Sequence, residues 1–530
     1  GEAESFLNPS LKALLPDPSH LLDMEAAAER VAGAVIAGER IAIFGDYDVD
    51  GATSAALLMR YFHALGCDPL VHIPDRMKEG YGPNAPALLA LQKRGAALAI
   101  TVDCGTLAFE PLAAAHEAGL DVIVIDHHIG AAQKPKAYAV VNPNRLDEFS
   151  PHRQLAAVGV TFLLAVAVNR KLRASGRMVP DLMMYLDLVA LGTICDVVSL
   201  TGVNRALVAQ GLKVLAARGN LGIRTALDLA GIGDKPGVYH CGFVLGPRIN
   251  AGGRVGKSDL GVRLLTTEDQ AEAMALAKEL EQHNAERKAI EAMVLEQAMA
   301  QAEAIDPAQP VMVVSGAGWH PGVIGIVAGR IKERFHKPVA VIAVQDGVGK
   351  ASARSVPGFD FGAAVIAARD AGLLVAGGGH AMAAGFTVEE TKIPALAVFL
   401  ATRAQGAVDD GAKRLFLDGM LSIGGATAEL AASLERLGPF GQGNPAIRLA
   451  IRNVVNLRPE LAGEQHVKTL LIDRISNARL SAIAFRAADT RLGEALFATR
   501  GKEITVAGQL RLSEWNGRQT VSLMIEDLAA

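Results

Sequence analysis

The amino-acid sequence predicts a multidomain α/β protein with a doubly wound parallel-sheet domain, a long connecting helix, a smaller α/β domain and a C-terminal OB-type β-barrel. Apolar strands and amphipathic helices alternate over residues 41–125, as they do in parallel sheets. A helical pattern without Gly or Pro extends to about Ala302, which is longer than a typical globular helix. Short strands replace helices in the last part of the chain. The expected domains are 1–260 with its N-terminal lead-in, 261–305 as the connecting helix, 306–408, and 409–530.

The composition is that of a globular protein. Half of the 530 residues are hydrophobic and 20% are charged, which argues against an intrinsically disordered chain. No run of 18 apolar residues occurs, and the four cysteines lack CxxC spacing, so neither a membrane span nor a zinc site is indicated. The chain opens with Gly1 and lacks a signal-peptide pattern, which suggests a trimmed sequence, and its cysteines indicate no disulfide framework, so we expect a cytoplasmic protein. The net charge of −4 neither supports nor excludes a polyanionic substrate.

The first domain is predicted to consist of alternating helices and strands. An amphipathic helix is expected at roughly Met24–Ala37, followed by the apolar strand 41–44. In parallel sheets the carboxyl ends of the strands share one edge, where ligands bind. The further elements expected are a helix at 52–65, a strand at 70–73, a helix at 84–94, a strand at 98–102, a helix at 110–118 and a strand at 122–125.

Acidic side chains cluster where the first strand ends. In the stretch IAIFGDYDVDG, Gly45 is followed by Asp46, Asp48 and Asp50. Three like charges within five residues repel one another unless a cation lies among them. Carboxylate oxygens suit Mg²⁺ and Mn²⁺. A solvated acidic loop is the commoner explanation of such a motif alone, but further acidic residues at later strand ends favour a metal site.

The later candidate ligands follow the apolar runs LAITV and VIVI and the apolar helix that ends in GTICD. A single aspartate in such a position is usually a helix or turn cap. Several at one sheet edge, beside a histidine pair, predict a metal-binding constellation. These candidates are Asp103, Asp126, His127, His128 and Asp196.

The second half of the chain predicts two further domains. The long helix opens at a capping box beginning with Thr267 and would join the first domain to an α/β unit that starts at Val311. Asn516-Gly517 predicts a hairpin turn near the C-terminus. Five short strands there suit an OB-type barrel, which can carry single strands on a basic and aromatic surface. Candidate contacts on it are Lys468, Arg486, Arg511, Trp515 and Arg518.

The ordered motifs GDYDVDG, VDCG, DHH and GTICDVV resemble those of the DHH phosphoesterase superfamily. Over nearly the whole chain the sequence is similar to the bacterial single-stranded-DNA-specific exonucleases of that superfamily. This resemblance implies a DHH catalytic domain, a DHHA1 substrate-binding lid and an OB domain. The supporting stretches are IPDRMKEGYG, GPRINAGGR, GWHPGVIGIVA, SARS, GGGHAMAAGF, GPFGQGNP and EWNG.

The resemblance also implies a catalytic centre with two Mn²⁺ or Mg²⁺ ions, which can activate water and stabilise both the attacking and the leaving oxygen. The implied ligands are Asp46, Asp48 and Asp103 for one ion, and Asp50, Asp103, His127 and Asp196 for the other. Asp126 would orient the histidine pair, and His128 would face the substrate phosphate. Glycine backbone and arginine side chains of both domains would clamp phosphate. The candidate substrate contacts are Arg76, Arg248, Asn250, Arg254, His320, Ser352, Arg354, Gly378, Gly379 and His380.

The implied activity is hydrolysis of single-stranded DNA from its 5′ end to 5′-mononucleotides, in recombination and repair. The resemblance suggests a monomer, with a single-strand-binding protein and a RecQ-type helicase as partners besides the DNA, and no membrane. Two alternatives remain open. One is a nanoRNase, a 3′-phosphoadenosine-phosphate phosphatase or a pyrophosphatase of the same superfamily, although such enzymes typically lack the long helix and the barrel. The other is an inactive nucleic-acid-binding module. A suitable residue at every implied ligand position argues against this alternative.

Overall fold

Three β-sheets organise the protein, one in each of the regions that the sequence separates. Within the part of the chain that is described, no helix is long and apolar enough to cross a lipid bilayer. The computed structural model describes residues 2–76, 78–233, 235–406, 415–515 and 518–530.

The first sheet has five parallel strands in the order β2-β1-β3-β4-β5. Its strands are β1 (Ile41–Gly45), β2 (Leu70–His72), β3 (Leu98–Val102), β4 (Asp121–Ile125) and β5 (Ala139–Val141). Both β1 and β3 are buried along their whole length, as expected for central strands covered by helices on both faces. The sequence did not predict β5, because it has only three residues and no helix separates it from β4.

Helices cover both faces of this sheet. The helix predicted at Met24–Ala37 has these bounds in the structure. The predicted helix at residues 182–191 is divided into a 3₁₀ turn, Leu182–Tyr185, and an α-helix, Leu186–Cys195. The other α-helices before residue 230 are Glu2–Leu7, Leu11–Leu14, Val49–Ala64, Ala85–Lys93, Phe109–Glu117, Ala157–Ala174, Gly202–Ala216 and Leu221–Leu229.

A second group of helices leads out of the first domain. Val238–His240, the π-helical turn Cys241–Leu245 and Gly246–Val255 follow one another without a break, and Leu260–Thr266 comes next. The 35-residue helix Gln270–Ala304 then spans about 52 Å.

The side chain of Asp269, rather than that of Thr267, caps this long helix by accepting from the backbone N–H of Glu272. Thr267 instead donates to the Glu272 carboxylate. The helix is packed into two cores. Leu276 and Leu280 lie in the core of the first domain, and Val294 and Ala298 in that of the second. It therefore joins the two domains as a strut.

The second sheet is mixed, with the order β6-β7-β8-β10-β9, and only β6 and β7 are parallel. Its strands are β6 (Met312–Ala317), β7 (Val339–Gln345), β8 (Val348–Arg354), β9 (Ala376–His380) and β10 (Ala383–Glu389). Arg354 and His380 both pair with Ala383, so the ends of β8 and β9 lie at the same edge. The helices of this region are Ile324–Phe335, Phe361–Asp370 and Ile393–Ala404.

The third sheet closes on itself. β12 pairs with both β16 and β14, and the ring continues through β17 and β15, so five strands form a closed circuit. The predicted Asn516-Gly517 turn and the boundary at residue 409 lie outside the described residues, and the domain boundaries remain predictions. The strands are β11 (Gly419–Leu421), β12 (Leu449–Asn456), β13 (Glu460–Ala462), β14 (His466–Ile472), β15 (Arg479–Ala484), β16 (Glu503–Trp515) and β17 (Arg518–Ala529), with helices Ala428–Glu435 and Arg491–Ala498.

Candidate metal centre and substrate cleft

The ends of three neighbouring strands bring carboxylates together. β1, β3 and β4 are parallel, and Gly45 pairs with Val102, which in turn pairs with Ile125. The residue after each strand is therefore an aspartate at the same edge of the sheet. These three residues, Asp46, Asp103 and Asp126, are almost fully buried.

The acidic loop after β1 is shaped by the start of a helix. Asp48 caps the helix Val49–Ala64 by accepting from the backbone N–H of Gly51 at 3.1 Å. A Cβ on Gly51 would lie 2.5 Å from the carbonyl oxygen of Asp46, so only glycine allows this close approach. Asp50 accepts from the backbone N–H groups of Ala157 and Val158 at 2.7 and 2.9 Å. These groups open a second helix, whose positive end favours a negative charge.

The backbone is strained at one candidate ligand, Asp103, and directly after another, Asp196. Asp103 has a φ of 62°, in the left-handed region that side chains seldom adopt. Asp196 follows the helix Leu186–Cys195, and Val197, directly after it, has a φ of 59°. The β-branched side chain of Val197 makes that conformation costly. Such strain persists where the surroundings fix the backbone, and it concentrates at functional sites.

The side chains of the acidic loop and the later motifs meet in one cluster. The Nε2 atom of His127 lies 3.3 Å from an oxygen of Asp103, 3.5 Å from one of Asp196 and 3.9 Å from one of Asp50. Three groups have ligand atoms within 4.8 Å of one another. They are Asp46 with Asp48 and Asp103, Asp50 with His127 and Asp196, and Asp103 with His127 and His128.

Several buried ligand atoms in this cluster have no hydrogen-bond partner among the described residues. An unpaired buried polar atom costs about 1–3 kcal/mol. Oxygen and imidazole donors facing a common point are the ligands that Mn²⁺ and Mg²⁺ accept. The residues present therefore fit divalent metal ions. The unpartnered atoms are Asp46 Oδ1, Asp103 Oδ1, His127 Nε2 and Asp196 Oδ2.

Burial and mutual repulsion disfavour the ionised carboxylates in the absence of metal. Burial raises the pKa of Asp50 to about 7, and the charge of Asp196 adds to the effect. Burial likewise raises the pKa of Asp196 to about 7, with Asp48 contributing. The pKa values of Asp46 and Asp103 are also raised, by burial first and by neighbouring carboxylates second. A bound cation would remove this penalty.

Asp126 behaves differently from the other carboxylates. It accepts from the backbone N–H groups of Thr106, His127 and His128, and from the ring Nδ1 of His128 at 2.7 Å. Burial alone would raise the pKa of Asp126, but the hydrogen bond and charge of His128 outweigh it and lower the pKa. The same contact raises the pKa of His128 to about 9 against the effect of burial. Asp126 thus orients the His128 ring and favours its protonated form.

A cleft of about 1070 Å³ lies beside this cluster, between the first and second domains. A glycine-rich wall from β9 faces side chains of the first domain across it. The predicted substrate contacts that line the cleft are Arg76, Arg254, Ser352, Arg354, Gly378, Gly379 and His380, together with His128.

None of the three arginines of the cleft forms a direct ion pair with a described carboxylate. Arg254 donates to the carbonyl oxygen of Gly322 in the opposite domain at 2.8 Å. Arg354 donates to the Ser352 hydroxyl at 3.2 Å. Burial, aided by the charge of Arg76, lowers the pKa of Arg254 to about 10 and lowers that of Arg354. Like charges held together in this way form a site for an anion such as phosphate.

Other predicted contacts lie elsewhere. Arg248 pairs with Glu281 of the long helix and donates to the Val244 carbonyl, and Asn250 is half-buried on the same helix as Arg248. His320 accepts from the backbone N–H of Gly322. These three residues are not among those that line the cleft.

The candidate DNA contacts on the C-terminal barrel differ in what their side chains touch. Lys468 pairs with Glu460 at 3.2 Å, Arg511 contacts the sulfur of Met524, and Arg486 is exposed. The side chains of Trp515 and Arg518 lie outside the described part of the structure.

Two tyrosines of the cleft were missed by sequence reasoning. The Tyr81 hydroxyl donates to the carbonyl oxygen of Asp103 at 3.1 Å and lies 3.3 Å from the ring of His128. The guanidinium of Arg76 lies 5.0 Å from the ring centroid of Tyr47. Both tyrosines belong to motifs that the sequence singled out, GYG and GDYDVDG, but an isolated aromatic residue usually indicates core packing.

Comparisons with known proteins agree with this arrangement. Models of three protein families match the chain: the DHH family N-terminal domain at residues 40–193, the DHHA1 domain at 308–405 and the RecJ OB domain at 417–527. The single-stranded-DNA-specific exonuclease RecJ of Escherichia coli is 35% identical over 98% of this chain and 92% of its own length. The chain belongs to the RecJ family. RecJ of Bacillus subtilis is 36% identical over 97% of this chain, which spans only 64% of that relative.

Solved RecJ structures share the fold. RecJ of Thermus thermophilus in complex with Mn²⁺ superposes with a TM-score of 0.84 at 32% identity, covering 99% of this chain and 74% of that one. Its complex with Mg²⁺ gives a TM-score of 0.77 at 31% identity, covering 99% and 72%. The predicted α/β fold with its DHH, DHHA1 and OB domains is thereby confirmed.

The buried carboxylates predict that the metal-free protein loses stability as the pH rises. Without metal, the free energy of unfolding should fall by about 2 kcal/mol or more between pH 5 and pH 8. Asp50 and Asp196 have folded pKa values near 7, well above the usual value for aspartate. The folded state therefore holds more protons than the unfolded state, and stability is lost as the pH rises through 7. The raised pKa of His128 acts in the same direction at higher pH.

Thermal unfolding in EDTA at both pH values measures this effect. Saturating Mn²⁺ should remove most of the difference, because bound cations stabilise the ionised carboxylates. Asp50→Asn should reduce the slope in EDTA. Equal unfolding temperatures at pH 5 and pH 8 in EDTA would contradict the prediction.

Proposed function

We propose that this chain is a divalent-metal-dependent exonuclease that hydrolyses single-stranded DNA from the 5′ end and releases 5′-mononucleotides. The observation that carries the proposal is the buried cluster of unpartnered carboxylate and imidazole atoms beside an arginine-lined cleft. Membership of the RecJ family supplies the substrate class. Phosphodiester hydrolysis needs stabilisation of added negative charge, which both parts of this site favour.

The candidate ligands would hold two Mn²⁺ or Mg²⁺ ions, which supply an activated water and stabilise charge on the attacking and leaving oxygens. Asp103 would belong to both ligand sets. His128, held by Asp126, is placed to donate a proton to a phosphate oxygen or to the leaving 3′ oxygen. Arg354 and Ser352 would orient the phosphate from the opposite wall of the cleft. The two ligand sets are Asp46, Asp48 and Asp103, and Asp50, Asp103, His127 and Asp196.

One assay tests the function. Long single-stranded DNA, duplex DNA and short oligonucleotides are each incubated with Mn²⁺ and with EDTA. The proposal expects mononucleotides from long single strands with Mn²⁺ only. Activity confined to very short oligonucleotides or 3′-phosphoadenosine phosphate would favour the alternative phosphoesterases. Binding of single strands without hydrolysis in Mn²⁺ would favour an inactive module.

The arginines of the cleft are proposed to read the terminal phosphate. A charge-assisted hydrogen bond contributes roughly 1.5–3 kcal/mol, or about ten- to a hundredfold in affinity. Arg354→Ala is therefore expected to lose most of any preference for 5′-phosphorylated over 5′-hydroxyl ends. KM for both substrates is measured at fixed salt, because every phosphate contact depends on salt.

Arg334→Ala is the matched control for Arg354→Ala, since Arg334 is exposed on the helix Ile324–Phe335 of the same domain. It should leave the end preference unchanged. Equal slowing of Arg354→Ala on the two ends would mean that Arg354 contacts an internal phosphate or only ties the domains together.

The cellular context extends the proposal. Proposed partners are a single-strand-binding protein and a RecQ-type helicase, in cytoplasmic recombination and repair, with the chain acting as a monomer. Co-sedimentation of the purified chain with each partner, with and without DNA, tests these associations.

A further inference from the structure

A loop of the C-terminal region packs against the catalytic domain just after the candidate ligand Asp196. The backbone N–H of Leu200 donates to the carbonyl oxygen of Gln442 at 2.7 Å. A Cβ on Gly443 would lie 3.0 Å from the side chain of Ser199, and one on Gly441 would lie 2.7 Å from that of Leu200. Glycine at these two positions therefore lets the backbone of the loop pack directly against the side chains of Ser199 and Leu200.

This loop, residues 437–444, holds its own shape. The amide of Asn444 donates to the carbonyl oxygens of Leu437 and Pro439 at 3.1 and 2.9 Å. Gly441 and Asn444 exchange two backbone hydrogen bonds at 2.9 and 3.1 Å. A loop fixed internally in this way presents a defined surface to the catalytic domain rather than a variable one.

A buried arginine of the first domain is hydrogen-bonded to the same loop. The side chain of Arg205 is almost fully buried and donates to the carbonyl oxygen of Leu437 at 2.6 Å. It also donates to the Phe6 carbonyl at 3.0 Å and lies 3.9 Å from the Phe6 ring centroid. No described carboxylate pairs with it, so these carbonyl groups solvate the guanidinium. Withdrawal of the loop would leave that charge poorly solvated in the interior.

The segment between Asp196 and Leu200 needs such support. Val197 occupies the strained left-handed region, which persists only where neighbouring structure fixes it. From the inside, the Asn204 amide donates to the Ser199 carbonyl at 3.0 Å. From the outside, the loop at 437–444 holds Ser199 and Leu200. The segment that follows the metal ligand is thus clamped between two domains.

We propose that the loop at residues 437–444 is a positioning element of the metal centre, which fixes Asp196 through the segment 197–200. The inference rests on the proposed function, because it takes Asp196 as a metal ligand. It makes the C-terminal domain part of the catalytic apparatus and not only a DNA-binding surface. Removing that domain, from about residue 409 onward, is therefore expected to weaken metal binding as well as capture of long strands.

Gly443→Ala in the full chain tests the inference. Mutating residues that support a metal ligand typically changes metal affinity by 10–100-fold. We therefore expect titration calorimetry to show that Mn²⁺ binds the metal-free variant about tenfold more weakly than the wild type. Gly501→Ala is the matched control. Gly443 and Gly501 share a φ of +73°, but a Cβ on Gly501 meets nothing within 4 Å. Gly501→Ala should bind Mn²⁺ as the wild type does. KM for a short oligonucleotide should stay unchanged in both variants.

Asn444→Ala is a second variant, which loosens the loop without adding an atom, and circular dichroism confirms that each variant is folded. Weaker Mn²⁺ binding in Asn444→Ala would also support the inference. Wild-type Mn²⁺ affinity in Gly443→Ala and Asn444→Ala, or an equal loss in Gly501→Ala, would overturn it while leaving the proposed function intact. Absence of Mn²⁺ binding in the wild type would overturn both.

Discussion

Asp103→Asn is expected to lower turnover on single-stranded DNA by on the order of 10³ or more, with the fold retained. Asp103 is the carboxylate common to two of the candidate ligand groups, and its Oδ1 atom is buried without a partner among the described residues. The substitution replaces one ligand oxygen by a poorer one and removes a charge that screens the repulsion between cations. Asparagine is chosen because, after glycine, it is among the residues that best tolerate the left-handed φ of this position.

The measurement is kcat on a 5′-phosphorylated oligonucleotide at saturating Mn²⁺, with thermal unfolding as the test of folding. Asp346→Asn provides the control, because Asp346 also has a positive φ, of 51°, but lies in an exposed turn of the second domain. It should leave turnover unchanged. Near wild-type turnover in Asp103→Asn would remove the assignment of Asp103 to a two-metal centre.

His128→Ala is expected to lower kcat by about 10²–10³ while Mn²⁺ affinity changes little. The ring of His128 is fixed by Asp126 and lines the cleft beside Tyr81, which suits a proton donor facing the substrate. Removing the imidazole deletes that donor but leaves both proposed ligand sets complete. Turnover at saturating Mn²⁺ and Mn²⁺ titration of the metal-free protein separate the two effects.

His116→Ala is the control for this substitution, since His116 is exposed on the helix Phe109–Glu117 and belongs to none of the motifs. It should alter neither quantity. His128 also lies within ligand distance of Asp103 and His127. If Mn²⁺ affinity fell in parallel with kcat, His128 would be a metal ligand and the proton donor would have to be sought elsewhere.

Sequence patterns predicted the elements that depend on local periodicity. β3 has the predicted bounds because its five buried residues, four of them apolar and one a threonine, fill a central strand. β5 and the division of the helix at Leu186 were missed, because both are decided by tertiary packing of short apolar segments. The clustering of the candidate ligands was predictable because each carboxylate of the sheet edge lies at the end of a largely apolar strand.

Contacts between distant segments could not be predicted in the same way. Arg248 belongs to a basic motif, yet it is engaged by Glu281, which is 33 residues further along the chain. The hydrogen bond from Tyr81 to Asp103 depends on how a loop folds back over the sheet edge. The left-handed backbone of Asp103 leaves no mark in the sequence, since aspartate is common in every kind of turn.

The helix Gln270–Ala304 constrains how a polymer can reach the catalytic centre. Its two halves are embedded in separate hydrophobic cores, and Arg254 donates a hydrogen bond across the cleft to Gly322, so the two walls of the cleft are held together. Parting them to admit the middle of a strand would break apolar packing at several points at once. Threading a free end between fixed walls breaks none of these contacts and costs only the configurational entropy of the few nucleotides confined. Under the proposed function, a cleft held in this way would favour a free end over the middle of a strand, before any chemical group on that end is recognised.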